Sequence, residues 1–318
     1  MRIVRTVLGD ILPEALGHTQ CHEHLFIERG KSAEVSDVLL IDDQAKSTEE
    51  LLLYKRAGGG AIVDAQPVMA GRVAQWLVTA SGSSGVSVVA STGFHKTVFY
   101  EGGSYVFGWG EEKIAQLYID EIQNGMMASR AKGYRVMNAR AGLIKAAVDE
   151  GGIFADATYE KLHTAAAWAQ KRTGAPLMCH IEKNADAMEV VDFYQKKGVA
   201  ADRLWIAHLD RVSQDPAYHR DLLSGGIYLE YDTIARFRYH SDEDECKLIA
   251  QMLEAGYEDR LLLGLDTTRA RLKSYGAPTG LDYILETFLP YLRKSGVTSG
   301  QCRRMLVKNP QTALGIIQ

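Results

Sequence analysis

The chain has 318 residues, of which 46% are hydrophobic and 24% are charged. This composition is typical of a globular protein and excludes a disordered, collagen-like or coiled-coil chain. Because 36 Lys and Arg stand against 40 Asp and Glu, the net charge is −4, and the chain has no general attraction for nucleic acid or acidic lipid.

Short apolar runs alternate along the chain with longer amphipathic stretches. The runs are rich in Val, Ile, Leu and Ala, which is typical of parallel strands that are buried on both faces. The predicted strands are Thr19–Phe26, Ala61–Ala65, Val86–Ser91, Ala141–Val148, Pro176–Ile181, Leu204–Leu209, Ile227–Tyr231 and Leu261–Leu265. The clearest predicted helices are Thr48–Ala57, Glu111–Gly125, Thr158–Thr173, Asn184–Lys197 and Ser241–Gly256.

This alternation predicts an α/β protein, a (β/α)8 TIM barrel formed by residues 1–318 as one domain. A doubly wound open sheet is the alternative, but it favours a glycine-rich phosphate loop after the first strand, where His22-Glu23-His24 stands instead. Residues 2–17 predict a short N-terminal β-hairpin that caps one end of the barrel. Residues 95–113 predict a long aromatic loop after the third strand, on the side where barrels carry their active sites.

The four cysteines form no C-x-x-C pair and predict no disulfide framework. We expect free, buried thiols in a reducing compartment. The first residues do not match a signal peptide, and the sequence has no apolar run of about 18 residues. The expected location is therefore the cytoplasm, without a membrane partner.

Side chains that can bind metal stand at the C-terminal ends of several predicted strands. His22 and His24 share one face of the first strand, because residues i and i+2 of a strand point the same way. His180, His208 and Asp266 end later strands. One such histidine alone is often a core residue, but the set together is typical of the catalytic face of a barrel.

Lys145 lies inside the apolar run Ala141–Val148. An uncompensated ammonium group at such a position is energetically costly. One interpretation is a lysine at the end of the strand that pairs with a carboxylate. The other is an amine of lowered pKa that has reacted with carbon dioxide, since the resulting carbamate is an anion on a long stem and can bridge two cations.

The segment Gly17–Leu25 resembles the G-x-T-x-x-H-E-H-L opening of the phosphotriesterase family, in the amidohydrolase superfamily. The resemblance continues along the whole chain. The further matches, in order, are Thr92-Gly93-Phe94-His95, Gly142-Leu143-Ile144-Lys145, His180, His208-x-Asp210, Leu265-Asp266-Thr267-Thr268-Arg269 and Lys308-Asn309-Pro310. Together these motifs are specific for the family, although they are not specific for a substrate.

The resemblance implies a centre of two divalent metal ions. The ligands by motif match are His22, His24 and Asp266 for the buried ion, His180 and His208 for the more exposed ion, and Lys145, as N6-carboxylysine, between them. A hydroxide would also bridge the two ions. These nitrogen and oxygen donors suit Zn²⁺, with Mn²⁺ or Co²⁺ as substitutes.

The implied chemistry is hydrolysis by attack of the metal-bridging hydroxide, while the exposed metal polarises a carbonyl or phosphoryl oxygen of the substrate. Asp266 would take the proton of the hydroxide and pass it to the leaving group. Asp266, His208 and Lys145 are therefore the predicted catalytic residues. Asp210 is a further candidate, either to orient a neighbouring group or to relay the proton.

Members of the family hydrolyse organophosphate triesters or, more often, lactones. The local sequence around His95 departs from the T-G-x-Y pattern of many lactonase relatives. It resembles more closely the phosphotriesterase homology proteins and the sugar-lactone phosphate hydrolases. We therefore predict His95 as a substrate-binding residue. Four arginines predict an anion site, since barrels commonly bind phosphate with the loops after strands seven and eight. They are Arg236, Arg238, Arg269 and Arg271, and the alternative is that they are solvated or pair with nearby acidic residues.

These observations predict a metal-dependent hydrolase that opens a polar or phosphorylated sugar lactone. The first alternative is phosphotriesterase or N-acyl-homoserine lactonase activity at the same centre, with a more apolar pocket. The aromatic residues of the long loop leave this alternative open; they are Tyr100, Tyr105, Phe107 and Trp109. A non-catalytic binding barrel would lack metal ligands, whereas a ligand residue stands at every expected position of this sequence. The expected partner is a small anionic molecule and not nucleic acid, and the resemblance leaves a homodimer open.

Overall fold

Strands and helices alternate through this computed structural model, which describes residues 2–129, 133 and 135–317. The strands are β1 Arg2–Thr6, β2 Gly9–Ile11, β3 His18–Glu23, β4 Gly59–Asp64, β5 Ser87–Gly93, β6 Leu143–Ala147, β7 Leu177–His180, β8 Leu204–Ala207, β9 Tyr228–Tyr231, β10 Leu261–Leu263 and β11 Ile316–Ile317. The helices are α1 Lys31–Val35, α2 Gln44–Arg56, α3 Ala74–Ser84, α4 Tyr105–Gly108, α5 Glu111–Gln123, α6 Ala157–Thr173, α7 Ala187–Lys196, α8 Leu209–Val212, α9 Pro216–Ser224, α10 Asp242–Glu254, α11 Leu289–Lys294, α12 Ser299–Arg303 and α13 Asn309–Ala313. Among the helices of this described part, none is long and apolar enough to cross a bilayer.

Strands β3 to β10 lie side by side in chain order, and all are parallel. The two ends of this sheet approach each other, because the backbone N–H of Asp266 donates to the carbonyl oxygen of His22 at 2.9 Å. The sheet is therefore a nearly closed barrel, and the predicted (β/α)8 fold is confirmed.

One buried apolar cluster takes side chains from all eight barrel strands, which places it inside the barrel. Its members on those strands are Cys21, Ala61, Val63, Val89, Leu143, Met178, Trp205, Ala207, Tyr228 and Leu262. The larger cluster lies between the outer face of the strands and the helices. The strands are thus covered on both faces, as their continuous apolar sequences predict.

The helix ends follow the local sequence. At the start of α10, the Ser241 hydroxyl accepts a hydrogen bond from the backbone N–H of Asp244, and the Asp244 carboxylate accepts one from the backbone N–H of Ser241. This capping box confirms the predicted start of the helix. At the end of α6, Gly174 takes a φ of 69°, a left-handed conformation that glycine adopts without strain.

The N-terminal hairpin is present, because β1 pairs antiparallel with β2. It packs against the N-terminal end of the barrel, where the backbone N–H of Val7 donates to the carbonyl of Val88 at 2.9 Å. The sequence did not predict β11, which pairs with the other edge of β1 and places Ile3 opposite Ile316. The hairpin therefore covers the end of the barrel that lies away from the predicted site.

The first barrel strand ends earlier than the predicted Thr19–Phe26. After Glu23, the backbone N–H of Leu25 donates to the Asp64 carboxylate at 2.8 Å, not to a neighbouring strand. The Glu23 carboxylate accepts from the backbone N–H groups of Leu265 and Thr267 beyond β10. Beyond the end of β3, the buried carboxylates of Asp64 and Glu23 thus accept backbone hydrogen bonds in place of a neighbouring strand. They fix the segments after β3 and β10, which carry predicted site residues.

Candidate active site

Strand alternation places polar side chains directly above the apolar layer inside the barrel. Lys145 stands two residues after Leu143 on β6, and His180 stands two residues after Met178 on β7. Asp266 stands four residues after Leu262, beyond the end of β10. Because i and i+2 share a face, each of these polar groups points to the barrel axis at the C-terminal end.

The first group of possible ligands is His22, His24 and Asp266, whose donor atoms all lie within 4.8 Å of one another. The Asp266 Oδ1 atom is 3.4 Å from His24 Nε2 and 3.8 Å from His22 Nε2. Asp266 has a φ of 48° and is 8% exposed. A non-glycine residue with positive φ is strained, and such strain is commonly found at functional sites.

Lys145 is completely buried, and its Nζ atom lies 3.1 Å from His22 Nε2 and 3.5 Å from Met178 Sδ. No carboxylate of the described residues forms a salt bridge with this amine within 4.0 Å. Burial lowers the pKa of Lys145 to about 8. The paired-lysine interpretation therefore lacks its partner, whereas a neutral amine is the form that can react with carbon dioxide.

The second pair of predicted ligands adjoins the first group. The His208 ring centroid lies 4.6 Å from that of His22 and 4.3 Å from that of His180. His208 has a φ of 69° immediately after β8, which turns its backbone out of the strand. The structure thus brings all six predicted metal ligands to one place.

Two carboxylates that the sequence analysis missed orient the imidazoles. Asp232 Oδ1 lies 2.6 Å from His208 Nδ1, and Glu230 Oε2 lies 3.0 Å from His22 Nδ1. In both histidines the Nε2 atom is left to face the cluster, and carboxylate partners of this kind are typical of metal-bound histidine. The signal was present in the sequence, since Glu230 stands two residues after Tyr228 on the inward face of β9, and Asp232 continues this alternation just beyond the strand.

Burial and neighbouring charge set the protonation of these groups. Burial, together with the Lys145 charge, lowers the pKa of His22 to about 4. Burial also lowers the pKa values of His180 and His208 well below the usual range. For Asp266, burial alone would raise the pKa, but the Arg236 guanidinium and the neighbouring imidazoles hold it well below its ordinary value. Neutral imidazoles beside an ionised carboxylate are the forms that bind a cation.

A cavity of about 240 Å³ opens above this cluster. Its basic side chains are Lys96, Arg211, Arg236 and Arg238, and its carboxylates are Glu182 and Asp266. Arg236 approaches Asp266 Oδ2 at 3.0 Å, and Arg211 approaches the same atom at 3.5 Å. Lys96 and Arg211 were not among the predicted site residues, because their position depends on loops whose course the sequence does not reveal.

The predicted substrate-binding residues separate into two groups. His95, Arg236 and Arg238 line the cavity. Arg269 is outside the lining and approaches Asp37 at 3.7 Å, with 36% of its side chain exposed. The guanidinium of Arg271 is buried and donates to the backbone carbonyls of residues near the barrel end, including Leu265 and Ile234.

Asp210 lies behind the cavity and not in its lining. Its Oδ2 atom accepts hydrogen bonds from the backbone N–H and the hydroxyl of Thr233, at 2.7 Å and 2.5 Å. His240 and Glu245 complete a buried group around it. This arrangement favours the orienting role of Asp210 over direct contact with a substrate.

The residues present fit a pair of divalent ions. The donor set combines neutral imidazole nitrogens, an ionised carboxylate and a buried amine that has no salt bridge to a carboxylate in the described part of the chain. The groups that orient the imidazoles are in place. Nitrogen and oxygen donors of this kind suit Zn²⁺. His180 fits the same pattern, because its Nε2 atom lies 3.1 Å from Glu182 Oε1 and its other ring nitrogen is left for a ligand role.

Comparison with known proteins identifies relatives over the full length of the chain. The model of the phosphotriesterase family matches residues 2–314. A phospho-furanose lactonase of Mycoplasmopsis synoviae is 32% identical over 326 residues, which cover 98% of this chain and 92% of the relative.

Solved structures agree with this result. A lactonase from Listeria monocytogenes superposes with a TM-score of 0.90 at 26% identity and covers 99% of this chain and 100% of that one. The phosphotriesterase homology protein of Escherichia coli, solved with phosphate in its active site, gives a TM-score of 0.84 at 27% identity, covering 94% of this chain and 99% of that one.

Proposed function

This chain belongs to the phosphotriesterase family, and we propose that within it the protein opens the ring of a phosphorylated or otherwise anionic sugar lactone. As a member of this family with lactonase relatives, it is a hydrolase of ester bonds. The finer assignment combines the chemistry of the site with the names of two relatives, a phospho-furanose lactonase and a protein solved with phosphate in its active site.

The observation that carries the proposal is the concentration of basic side chains above the metal-ligand cluster. Four basic side chains and two carboxylates line the cavity, so its lining is positively charged. Of these, Arg238 forms no salt bridge with a carboxylate of the described residues, and its guanidinium donates to the Tyr239 hydroxyl at 2.6 Å. A guanidinium fork suits phosphate or carboxylate oxygens, so we assign Arg238, with Arg236 beside it, to the anionic group of the substrate.

We assign the metal site to His22, His24, Asp266, His180, His208 and carboxylated Lys145. When bound, two divalent ions, Zn²⁺ before Mn²⁺ or Co²⁺, would supply Lewis acidity at the carbonyl oxygen and would acidify water. Asp232 and Glu230 hold the imidazoles in the orientation that this role needs. The barrel walls exclude bulk water from the cluster, since the imidazoles of His22 and His208 are almost fully buried.

The reaction adds one water molecule across the ester bond of the ring. The oxygen of the water forms a bond with the carbonyl carbon, and the bond between that carbon and the ring oxygen breaks. Asp266 accepts a proton from the water at its carboxylate and donates it to the ring oxygen, which leaves as a hydroxyl group. The product is an open hydroxy acid, whose carboxyl group ionises at neutral pH.

A neutral phosphotriester or a long acyl chain fits this cavity less well. Apart from histidines, the aromatic side chains in its lining are Phe99 and Tyr239. Tyr105 and Trp109 line a neighbouring cavity, and Phe107 is 41% exposed. Among the described Phe, Tyr and Trp residues of the long loop, Phe99 alone lines this cavity, and it shares the lining with four basic side chains, so the anionic lactone is favoured.

A pH-indicator assay of the purified, metal-loaded protein tests the proposal. The panel contains matched aldonolactones with and without a phosphate group, an N-acyl-homoserine lactone and a phosphotriester. We expect the largest kcat/KM for a phosphorylated aldonolactone. Preference for the phosphotriester or for the acyl lactone would contradict the anionic substrate, and absence of turnover with all four classes would favour the non-catalytic barrel.

A further inference from the structure

The side chain of Glu182 contacts residues from the segments that follow β5, β7 and β8, at the wall of the catalytic cavity. Its Oε1 atom lies 2.8 Å from Lys96 Nζ, 3.9 Å from Arg211 Nη2 and 3.1 Å from His180 Nε2. Lys96 lies in the loop after β5, Glu182 in the loop after β7, and Arg211 in α8 beyond β8. One carboxylate oxygen therefore approaches two basic side chains that line the cavity.

These three side chains stand beside the proposed reaction centre. Arg211 also approaches Asp266 Oδ2 at 3.5 Å, and Glu182 contacts the imidazole of His180. Side-chain exposure is 24% for Glu182, 19% for Lys96 and 9% for Arg211, so solvent screens their interaction only in part. A carbonyl group held over the metal ligands would lie next to this acidic and basic cluster.

Lactone hydrolysis changes the charge at that carbonyl. The ring ester of the substrate is neutral, whereas the product carries an ionised carboxylate on the same carbon. Lys96 and Arg211 could both donate charge-assisted hydrogen bonds to this new carboxylate, which would hold the product in the cavity. Slow product release limits the turnover of many enzymes.

We propose that Glu182 occupies the position that the product carboxylate would otherwise take, and that its competition for Lys96 and Arg211 promotes product release. The inference rests on the proposed lactonase function. A neutral lactone carbonyl does not compete with Glu182 for these cations, but the carboxylate of the hydroxy acid does. Glu182 therefore discriminates between substrate and product, and this role differs from the phosphate recognition that we assign to Arg236 and Arg238.

The Glu182→Gln variant isolates the charge, because glutamine keeps the size of the side chain and an oxygen that can accept from His180. Ribonate and its neutral amide, ribonamide, are matched probes that differ in the ionised group. We expect calorimetric titration of the metal-loaded variant to give a Kd for ribonate about tenfold lower than in the wild type, with the Kd for ribonamide changed by less than about twofold. Glu243→Gln is the control, since Glu243 pairs with Lys247 on the exposed face of α10.

Adding Lys96→Met to the Glu182→Gln variant should weaken ribonate binding again, because one of the released cations is then lost. An unchanged or weaker ribonate affinity in Glu182→Gln would overturn the proposal. Loss of bound metal with no gain in ribonate affinity would also overturn it, and would assign Glu182 to holding His180. If the wild type opens no lactone, the proposed function fails, and this failure is distinguishable because the titrations do not depend on turnover.

Discussion

At the scale of single residues, Lys145 is a long basic side chain that the fold buries completely without a carboxylate partner among the described residues. Burial lowers its pKa to about 8, so the neutral amine is far more populated near physiological pH than it is for an exposed lysine. The neutral amine can react with carbon dioxide, and the carbamate would convert a buried cation into the anion that a pair of metal ions requires. The ordinary cost of burying an ammonium group is then avoided.

Lys145→Ala is expected to lose bound metal and to reduce kcat/KM by more than about a hundredfold, since it would remove the proposed bridging carbamate. Metal analysis and lactone hydrolysis measure the two effects. Added short carboxylates with excess metal should restore part of the activity by filling the space of the missing side chain. Lys55→Ala, at an exposed lysine, serves as the control, and wild-type metal content in Lys145→Ala would refute the carbamate.

The arginines differ in their surroundings, and this difference determines which of them can recognise an anion. Arg238 lines the cavity, whereas Arg269 is outside the lining beside Asp37. Arg238→Met should raise the KM for a phosphorylated lactone by about tenfold and leave the KM for its neutral counterpart within about twofold. Arg269→Met is the matched control and should change neither value. Equal effects of the two variants would remove the assignment of Arg238.

Glu245 is fully buried on α10, and titratable groups surround it. They are Asp210, Asp232, Asp242 and His240. Burial, and then the negative charge of Asp210, raises the pKa of Glu245 well above its usual value of 4.5. The folded protein therefore holds a proton that the unfolded chain releases above about pH 4.5, so this residue's stabilising contribution is complete below that pH and decreases as the pH rises towards the folded-state pKa.

In the wild type, Glu245 should make the free energy of unfolding decrease by up to about 1.4 kcal/mol per pH unit above pH 4.5. Glu245→Gln should abolish this part of the decrease. Urea unfolding of the metal-free protein between about pH 5 and pH 8 measures the slope. Glu243→Gln, on the exposed face of the same helix, should keep the wild-type slope. The raised pKa would be contradicted if Glu245→Gln and the wild type showed the same dependence on pH.

At the scale of the elements, the strand ends determine the geometry of the site. Gly93 ends β5 with a φ of 94°, and a Cβ atom at this position would clash with the carbonyl oxygen of Lys145 on β6. The same carbonyl accepts a hydrogen bond from the backbone N–H of Phe94 at 2.9 Å. The close approach of the two strands at Gly93 thus fixes the backbone that carries Lys145.

Gly93→Ala is expected to lower the free energy of unfolding by roughly 2–4 kcal/mol, because it adds both a clash with backbone and a strained φ. Thermal and urea unfolding measure this loss. Gly102→Ala is the control in the long loop, since no neighbouring atom of the described residues lies within 4 Å of the added Cβ. Equal stability of the two variants would show that the strands can separate without cost.

His180 and His208 could be predicted as site residues because each stands at the end of an apolar run. Lys145 lies inside such a run, and its ligand role was predicted from the family resemblance. Loop contacts could not be predicted in this way. Glu182 meets Lys96 and Arg211 only because the loops after β5, β7 and β8 converge. Likewise, Arg269 follows the last strand as closely as a phosphate-binding residue would, but the 3-10 turn of residues 269–271 places it beside Asp37.

At the scale of the whole molecule, the proposed metal ligands come from β3, β6 and β7 and from the residues just beyond β3, β8 and β10. These segments span the sequence from His22 to Asp266, so bound ions would link distant parts of the chain. At the opposite end of the barrel, β1 pairs with both β2 and β11 and joins the two ends of the described chain. The small sheet at one end, and ions bound at the other, would therefore both resist opening of the barrel.

Removal of metal with a strong chelator should lower the Tm and abolish lactone hydrolysis, because ions that bind only the folded state stabilise it by mass action. At free metal about a hundredfold above Kd, this stabilisation is about 2.7 kcal/mol. Added Zn²⁺ should restore both properties, and differential scanning calorimetry with metal analysis follows the change. His22→Ala should show no stabilisation by Zn²⁺ at the same concentration. His18→Ala, at the start of the same strand, is the control and should respond as the wild type does. An identical Tm with and without metal in the wild type would contradict a metal centre in the barrel.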